Sequence, residues 1–534
     1  MIGTCVSSMG VAVGNLLLLA AVSAAGPTRA GRLSADVWAT DHDRILRIAD
    51  PALGEAPVTV TAASSPRSAG GPHDYFSEAD YWWPDPANPG GPYIQRDGMS
   101  NPDNFDDHRK AMRRLSVAVP ALVAAWKLTG QPRYAEQAVR HLRAWFVDEA
   151  TRMSPHLHYA QAIHGRVTGR GTGIIDTLHL VEVARAVEWL DAAPSFDAGT
   201  RAGVRGWFAD YLRWMTTDKN GIEERDAKNN HGTCWVLQVA AFARVTGDRQ
   251  LMDYCRNRFR TVLLPNQMAA DGSFPEELRR TKPYGYSLFN LEALAGIAQL
   301  LSTPSRGREA DDLWAFTLPD GRGMRRAMQF MVPYIRDKKS WPRPPDVMYD
   351  REWPMRQASL LFAGLALSEP GYVELWRKLP ADSDVDEVIR NFFIRQPALW
   401  LDGPALSRGE WGAPVVTVTQ AGEKWTIAGQ RQRVVFDAAD LSIRVDAGAA
   451  QWRMQSSAPG DLQARAEGKT LSLRRRTLRL PLTFLGKGRY HATLGRDDPV
   501  NGAAVQLEPR ELTRQDFIDV PLRDGGGFIA RRAR

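Results

Sequence analysis

Two short stretches of this 534-residue chain concentrate side chains able to do chemistry. The first is NNHGTCWVLQ, Asn229 to Gln238, where two amides and a histidine run into an apolar segment. One polar residue is enough to cap a helix start, so a second amide and an imidazole exceed what folding requires. At a helix N-terminus their N–H donors would add to the positive end of the helix dipole, an arrangement suited to holding an anion, with Asn229 free to act as the cap. The second stretch is DGSFPEELRRTKPYGYSLFNL, Asp271 to Leu291, a Pro- and Gly-containing loop that ends where a helix begins at Tyr286. It carries a carboxylate pair, an arginine pair and two tyrosines. A tyrosine moves protons near neutral pH only if its pKa of about 10 is lowered, and an adjacent guanidinium is the candidate for doing so.

These residues need elements to position them. From about Asn104 to Leu401 the apolar spacing is helical, as in HRKAMRRLSVAVPALVAAWKLTG, PRYAEQAVRHLRAWFVD, GIIDTLHLVEVARAVEWLDA, TRAGVRGWFADYLRWMTTD, GTCWVLQVAAFARVTGD and YSLFNLEALAGIAQLL. AWKLTGQPRYAEQAVRHLRAWF and FARVTGDRQLMDYCRNRFRTVL align around their Thr-Gly turns and read as a repeated helical hairpin. Such hairpins stack as a solenoid or close into an α/α toroid, and a Gly-rich connection such as HGRVTGRGTG, His164 to Gly173, is where a toroid places site loops. Residues 27–103 read as an irregular segment laid on the helical body, because DYWWPDPANPGGPYIQRDGMSNPDN is dense in Pro, Gly and Asn. Its Tyr81, Trp82, Trp83 and Tyr93 either pack or line a cleft. After Leu401 the period becomes two, so 402–534 reads as a C-terminal antiparallel β-sandwich. The expected fold is therefore mainly α, a toroid of helical hairpins at 104–401 followed by that β-domain.

Composition narrows the partners. At 44% hydrophobic and 24% charged the chain is globular, and its length calls for two or three domains. A net charge of +7 and a pI near 9.3 favour acidic partners. Nucleic acid is not expected, since basic residues are dispersed and no helix-turn-helix, zinc-finger or RNP pattern is present. Residues 1–26 contain VAVGNLLLLAAVSAA and read as a signal peptide, with Val22-Ser23-Ala24 before the cleavage point, implying a periplasmic or secreted protein without stable membrane insertion. Removal of Cys5 would leave Cys234 and Cys255 as buried free thiols, without the spacing of a zinc site; no metal and no cofactor is expected.

The combination DYWWPDP with PYIQRDG, GRGTGIIDT, KNNHG, and DGSFPEELRRTKPYGYSLFNLEAL followed by DLWAF, over about residues 75–345, resembles the alginate-lyase-like superfamily of polysaccharide lyases. The resemblance implies an α/α toroid, secretion, an acidic polysaccharide substrate, and metal-independent β-elimination on a uronic-acid polymer. It places the catalytic set on Asn230, His231, Arg280 and Tyr286. Arg280 rather than Arg279 fits because it stands three residues after Glu277, as the family's E-x-x-R pattern requires. Expected substrate contacts are Tyr81, Trp82, Gln161, His164, Arg170, Glu277 and Tyr284. The histidines of SPHLHYAQAIHG, His156, His158 and His164, replace asparagines common in the family, and are either subsite residues or surface histidines.

The residue types agree with that chemistry. Elimination from a 4-linked uronate removes the weakly acidic proton on C5, so the neighbouring carboxylate must be neutralised and the developing enolate-like charge held. Preorganised donors aimed at such charge are worth on the order of 10²–10³ in rate each. In mannuronate and glucuronate the C5 proton and the C4 oxygen lie on one side of the ring, so a single tyrosine can act as base and then acid. Two other classes stay open: a glycoside hydrolase using paired carboxylates such as Glu276, Glu277 or Asp271, and a non-catalytic carbohydrate-binding protein.

Overall fold

A computed structural model describes residues 29–302 and 312–401 and, beyond them, the strands lying between 417 and 533. The expected signal peptide at 1–26 and Cys5 lie outside the described residues. The chain divides into two units, one of Leu33–Leu406 and one of Ser407–Arg534 together with Met1–Arg32.

The first unit is mainly helical. Asp107–Thr129 pairs with Pro132–Phe146, and Asn230–Thr246 pairs with Arg249–Arg258. Both turns use the glycine of the Thr-Gly pair: Gly130 and Gly247 sit at φ 68° and 77°, a left-handed conformation in which a side chain would be strained. Each next helix restarts at once, through Pro132 in its first turn and through Asp248, whose side chain accepts the Leu251 N–H. Asn230–Thr246 and Pro283–Leu301 pack on each other at the centre. Every residue from Gly232 to Ala243 and from Ser287 to Ala298 is buried, so these helices are enclosed on all sides. Polar groups on them therefore need internal partners. Gln267 Oε1 accepts from Thr233 Oγ1 at 2.8 Å and Asn290 Nδ2 at 3.1 Å, and the buried Glu292 carboxylate accepts the Ala358 and Ser359 N–H groups at 2.8 Å each.

The irregular reading of 27–103 is corrected at its start, where Arg29–Ala52 is a 24-residue helix. Val37, Ile45, Ala49 and Ala52 form its buried stripe, a narrow apolar face diluted by the charged run DHDR. The rest of the segment is irregular apart from short pieces, including Trp82–Trp83 paired antiparallel with Ile94–Gln95. GIIDTLHLVEVARAVEWLDA is also not one α-helix: Gly171–His179 is 3₁₀ and Leu180–Leu190 is α.

In the second unit Thr417–Ala421, Lys424–Ala428, Arg433–Asp437, Ser442–Ala447 and Ala450–Met454 form a five-stranded antiparallel meander. Arg489–Asp497 lies between Val505–Thr513 and Phe528–Ala533 in a three-stranded antiparallel sheet. Among the described residues no helix is long and apolar enough to cross a membrane. Cys234 and Cys255 are buried free thiols, and burial raises the pKa of each.

Candidate active site

The helices Asn230–Thr246 and Pro283–Leu301 begin at one cleft of about 570 Å³, lined by Asn229, Asn230, His231, Arg280 and Tyr286. The four residues expected to be catalytic are thus brought together. Glu277 does much of the positioning. It is fully buried, and its carboxylate accepts the backbone N–H of Asn230 at 2.7 Å and the Nδ2 of Asn230 at 2.6 Å. Burial raises the pKa of Glu277, and the Asn230 hydrogen bonds oppose it. The cap of this helix therefore comes from the distant carboxylate, not from Asn229, whose side chain makes no capping bond. Asn229 is instead held through its carbonyl, which accepts from Gln267 Nε2 at 3.0 Å. A carboxamide carries two N–H donors, so Asn230 retains one after serving Glu277.

His231 is anchored in the same way. Its Nδ1 lies 2.7 Å from Oε1 of Glu224, a fully buried residue whose pKa burial raises and His231 opposes. That contact fixes the ring and leaves Nε2 for the cleft. Arg280 donates from Nε and Nη2 to the two oxygens of Asp97, at 3.1 and 2.6 Å, and its guanidinium carbon lies 4.7 Å from the centre of the Tyr286 ring. Burial would raise Asp97, but Arg280 and Thr281 outweigh it and hold the carboxyl below its usual range. Arg279 is exposed and pairs with Glu276; Arg280 is the arginine at the cleft.

Tyr286 donates to Tyr81 Oη at 2.7 Å. Its helix is capped by Asp346, which accepts the Tyr284 and Gly285 N–H groups at 3.0 and 2.8 Å. The expectation of a Tyr286 pKa below its ordinary value is corrected, although Arg280 does act to lower it. Burial holds the phenol above its ordinary value of 10, outweighing the opposing effects of Arg280 and Tyr81. The physical reason is desolvation of the phenolate in the buried site, to which the nearby Asp97 carboxylate adds a smaller contribution in the same direction.

Of the expected substrate contacts, Tyr81, Trp82, Gln161 and Arg170 line the cleft. Three do not. Glu277 lies behind Asn230 with both oxygens occupied. Tyr284 is in the core, donating to the Tyr334 carbonyl at 3.2 Å, because two residues along a helix is more than half a turn away from Tyr286. His164 is exposed beside Tyr93, with ring centres 5.2 Å apart, where the turn at Gly165 carries it outward. His156 pairs with Asp74 at 3.3 Å, and its ring centre lies 4.4 Å from that of His158, away from the cleft lining. Sequence reasoning missed Asp80, Asp97, Glu224, Asp346, Arg390 and Asn391. Asp80 and Asp97 lie inside the quoted motifs DYWWPDP and PYIQRDG, whereas the Asp386–Asn391 helix carries no local signal for a site.

Among the described residues no group of three or more His, Cys, Asp or Glu could hold a metal ion. The arrangement offers anion-holding donors beside a phenol. The carboxylates facing the cleft are committed to arginines, with Asp80 bound by Arg109 and Arg390 at 2.6 Å each.

The family model described as Alginate lyase matches residues 59–341. Among solved structures, an alginate lyase from Bacteroides ovatus is 31% identical with a TM-score of 0.59, covering 69% of this chain and 97% of its own. Alginate lyase A1-III from Sphingomonas species A1 is 18% identical with a TM-score of 0.41, covering 69% of this chain and 95% of its own. No curated protein matches. With more than half of the chain matched by the family model, this protein belongs to the alginate lyase family and is a polysaccharide lyase.

Proposed function

We propose that the protein cleaves a 4-linked polyuronate, polymannuronate or glucuronan, by metal-independent syn β-elimination. Asn230 and His231 hold the carboxylate of the reacting uronate, with Arg280 adding positive potential. Tyr286 takes the C5 proton and returns a proton to the C4 oxygen, so the glycosidic C–O bond breaks as the C4–C5 double bond forms. The observation that carries this reading is the convergence of Asn230, His231, Arg280 and Tyr286 on one cleft, with the first two braced from behind by the buried carboxylates Glu277 and Glu224. Bracing of this kind supplies the preorganisation that developing charge requires.

The hydrolase alternative finds no support in the carboxylates. Glu276 pairs with Arg279, Asp271 is exposed, and Glu277 is occupied by Asn230. Asp80 and Asp97 face the cleft, but burial is outweighed by their arginine partners, so both are held below the usual carboxylate range and are poor proton donors. We further propose that the helical hairpins form an α/α toroid, that the C-terminal sheets form a β-sandwich, and that residues 1–26 direct export. One absorbance assay tests the central reading. Incubation with polymannuronate, glucuronan and alginate should give a product absorbing in the far ultraviolet from its new double bond, and saturated reducing ends without that absorbance would mean hydrolysis.

A further inference from the structure

The glycines of the GRGTG run are closely packed against neighbouring backbone. At Gly169, Gly171 and Gly173 an added Cβ would lie 1.9 Å from the His158 carbonyl oxygen, 2.7 Å from the Asn220 carbonyl oxygen and 2.5 Å from Ala160 Cβ. These close approaches fix the backbone on both sides of Arg170. Its Nη2 donates to Gln161 Oε1 at 2.8 Å. Gln161 is itself locked, with its backbone N–H on Ser77 Oγ at 2.9 Å, its Nε2 3.4 Å from the buried Asp176, and φ at 51°, a left-handed conformation costly for a side-chain-bearing residue. A chain from Asp176 through Gln161 thus sets the direction of the Arg170 guanidinium.

Among the described residues three arginines line the cleft. Arg280 is bidentate on Asp97, and Arg390 contacts Asp80 at 2.6 Å and Glu387 at 3.4 Å. Arg170 differs. Its one side-chain bond is to the neutral Gln161, no carboxylate among the described residues pairs with it, and its Nε is buried without an acceptor. Burial disfavours its charge, and the nearest acidic groups compensate only in part. A guanidinium held in a cleft without a counter-ion, with donors unspent, is completed by an anion that arrives with the substrate.

We propose that Arg170 binds the carboxylate of the uronate next to the one undergoing elimination. This rests on the polyuronate reading and extends it. Asn230 and His231 start a different element and serve the reacting sugar, whereas Arg170 stands immediately before the Gly171–His179 3₁₀ helix and serves its neighbour. Arg170 is therefore a specificity-determining residue, favouring chains in which uronates follow one another over chains in which a uronate alternates with a neutral sugar.

The test measures kcat and KM for wild type, Arg170→Ala and Arg170→Lys on polymannuronate and glucuronan at low and moderate salt, together with melting temperatures. Loss of a charge-assisted contact predicts a KM raised about tenfold to a hundredfold in Arg170→Ala, with kcat nearly unchanged. Arg170→Lys should lie between, keeping charge without the fork, and the rise of KM with salt should flatten in the alanine variant. An unchanged KM overturns the proposal. So does a fall in kcat at unchanged KM, which would put Arg170 on the reacting carboxylate, and so does a lysine variant no better than alanine with both melting early, which would mark a structural role. The dissociation constant of an oligomannuronate, measured for wild type and Arg170→Ala in the Tyr286→Phe background, separates the two layers. Weaker binding without Arg170 supports this assignment even if no unsaturated product forms, an outcome that would refute the lyase mechanism alone.

Discussion

Replacing Tyr286 by phenylalanine removes one oxygen, and the structure states what that oxygen does. It donates a single hydrogen bond, to Tyr81 Oη at 2.7 Å, while its ring packs under the Arg280 guanidinium at 4.7 Å. Loss of a neutral hydroxyl bond costs about 1 kcal/mol, so the variant should fold and melt within a few degrees of wild type. Turnover should respond very differently. Assistance to one proton transfer is worth about 10²–10⁴, and a phenol serving as base and then acid loses both, placing the deficit at or beyond 10⁴, which is about 5.4 kcal/mol of barrier. Initial rates of double-bond absorbance measure the first quantity, and calorimetric binding of an oligomannuronate shows that the site survives.

The pH profile adds a sign. Burial holds the phenol above its ordinary 10, so phenolate is the minority form at neutral pH. It accumulates about tenfold per pH unit below the pKa, so kcat/KM of wild type should climb through pH 7–9 without a plateau there. Tyr81 donates to the phenolate and opposes the rise in pKa; Tyr81→Phe should move the climb to higher pH and lower the rate at fixed pH. Tyr284→Phe is the control, since its hydroxyl bonds the Tyr334 carbonyl in the core, and turnover should persist. Tyr286→Phe with more than a tenth of wild-type turnover would sink the assignment, and a wild-type plateau near pH 7 would sink the account of its ionisation.

Other perturbations follow from the same contacts. In Gly285→Ala the new Cβ would sit 2.7 Å from Asp346 Oδ2, displacing the cap of the Tyr286 helix; a misplacement approaching 1 Å costs about 10² in kcat, as Asp346→Ala should also show, and an unaltered kcat in both would remove Asp346 from the positioning of Tyr286. Glu277→Ala leaves two Asn230 donors without their acceptor, each bond worth about 1.5–3 kcal/mol, and should lower both the melting temperature and, by about 10²–10³, kcat; normal values of both would refute the bracing role. The buried Glu292 carboxyl is pushed up to about 7 by burial. With its folded pKa above the unfolded value near 4.5, folding takes up a proton between them, so the contribution of Glu292 to stability is fully present below about pH 4.5 and is lost as pH rises through 7. Denaturant titrations from pH 5 to 8 should show that decline and a flatter one in Glu292→Gln; equal slopes would exclude Glu292 as its source. Finally, EDTA should leave the initial rate unchanged, and loss of activity restored by a divalent cation would contradict the metal-independent mechanism.

The sequence alone determined what depends on neighbours along the chain. The Thr-Gly turns had to end helices because glycine accepts the left-handed conformation that Gly130 and Gly247 adopt, and helical periodicity located the central Asn230 and Pro283 helices. Asn230, His231, Arg280 and Tyr286 were legible because their types and local order carry a motif. The helix Arg29–Ala52 escaped because one narrow apolar stripe among charges resembles an irregular segment until there is a body for it to pack on. Tertiary structure decided what supports these side chains. The cap of the Asn230 helix comes from Glu277, 47 residues away, and that of the Tyr286 helix from Asp346, 62 residues from Tyr284. It also decided ionisation: Arg280 next to Tyr286 promised a lowered phenol and does act in that direction, but burial of the ring outweighs it and sets the direction. Carboxylate partners and desolvation depend on distances through space, and sequence separation does not encode those distances.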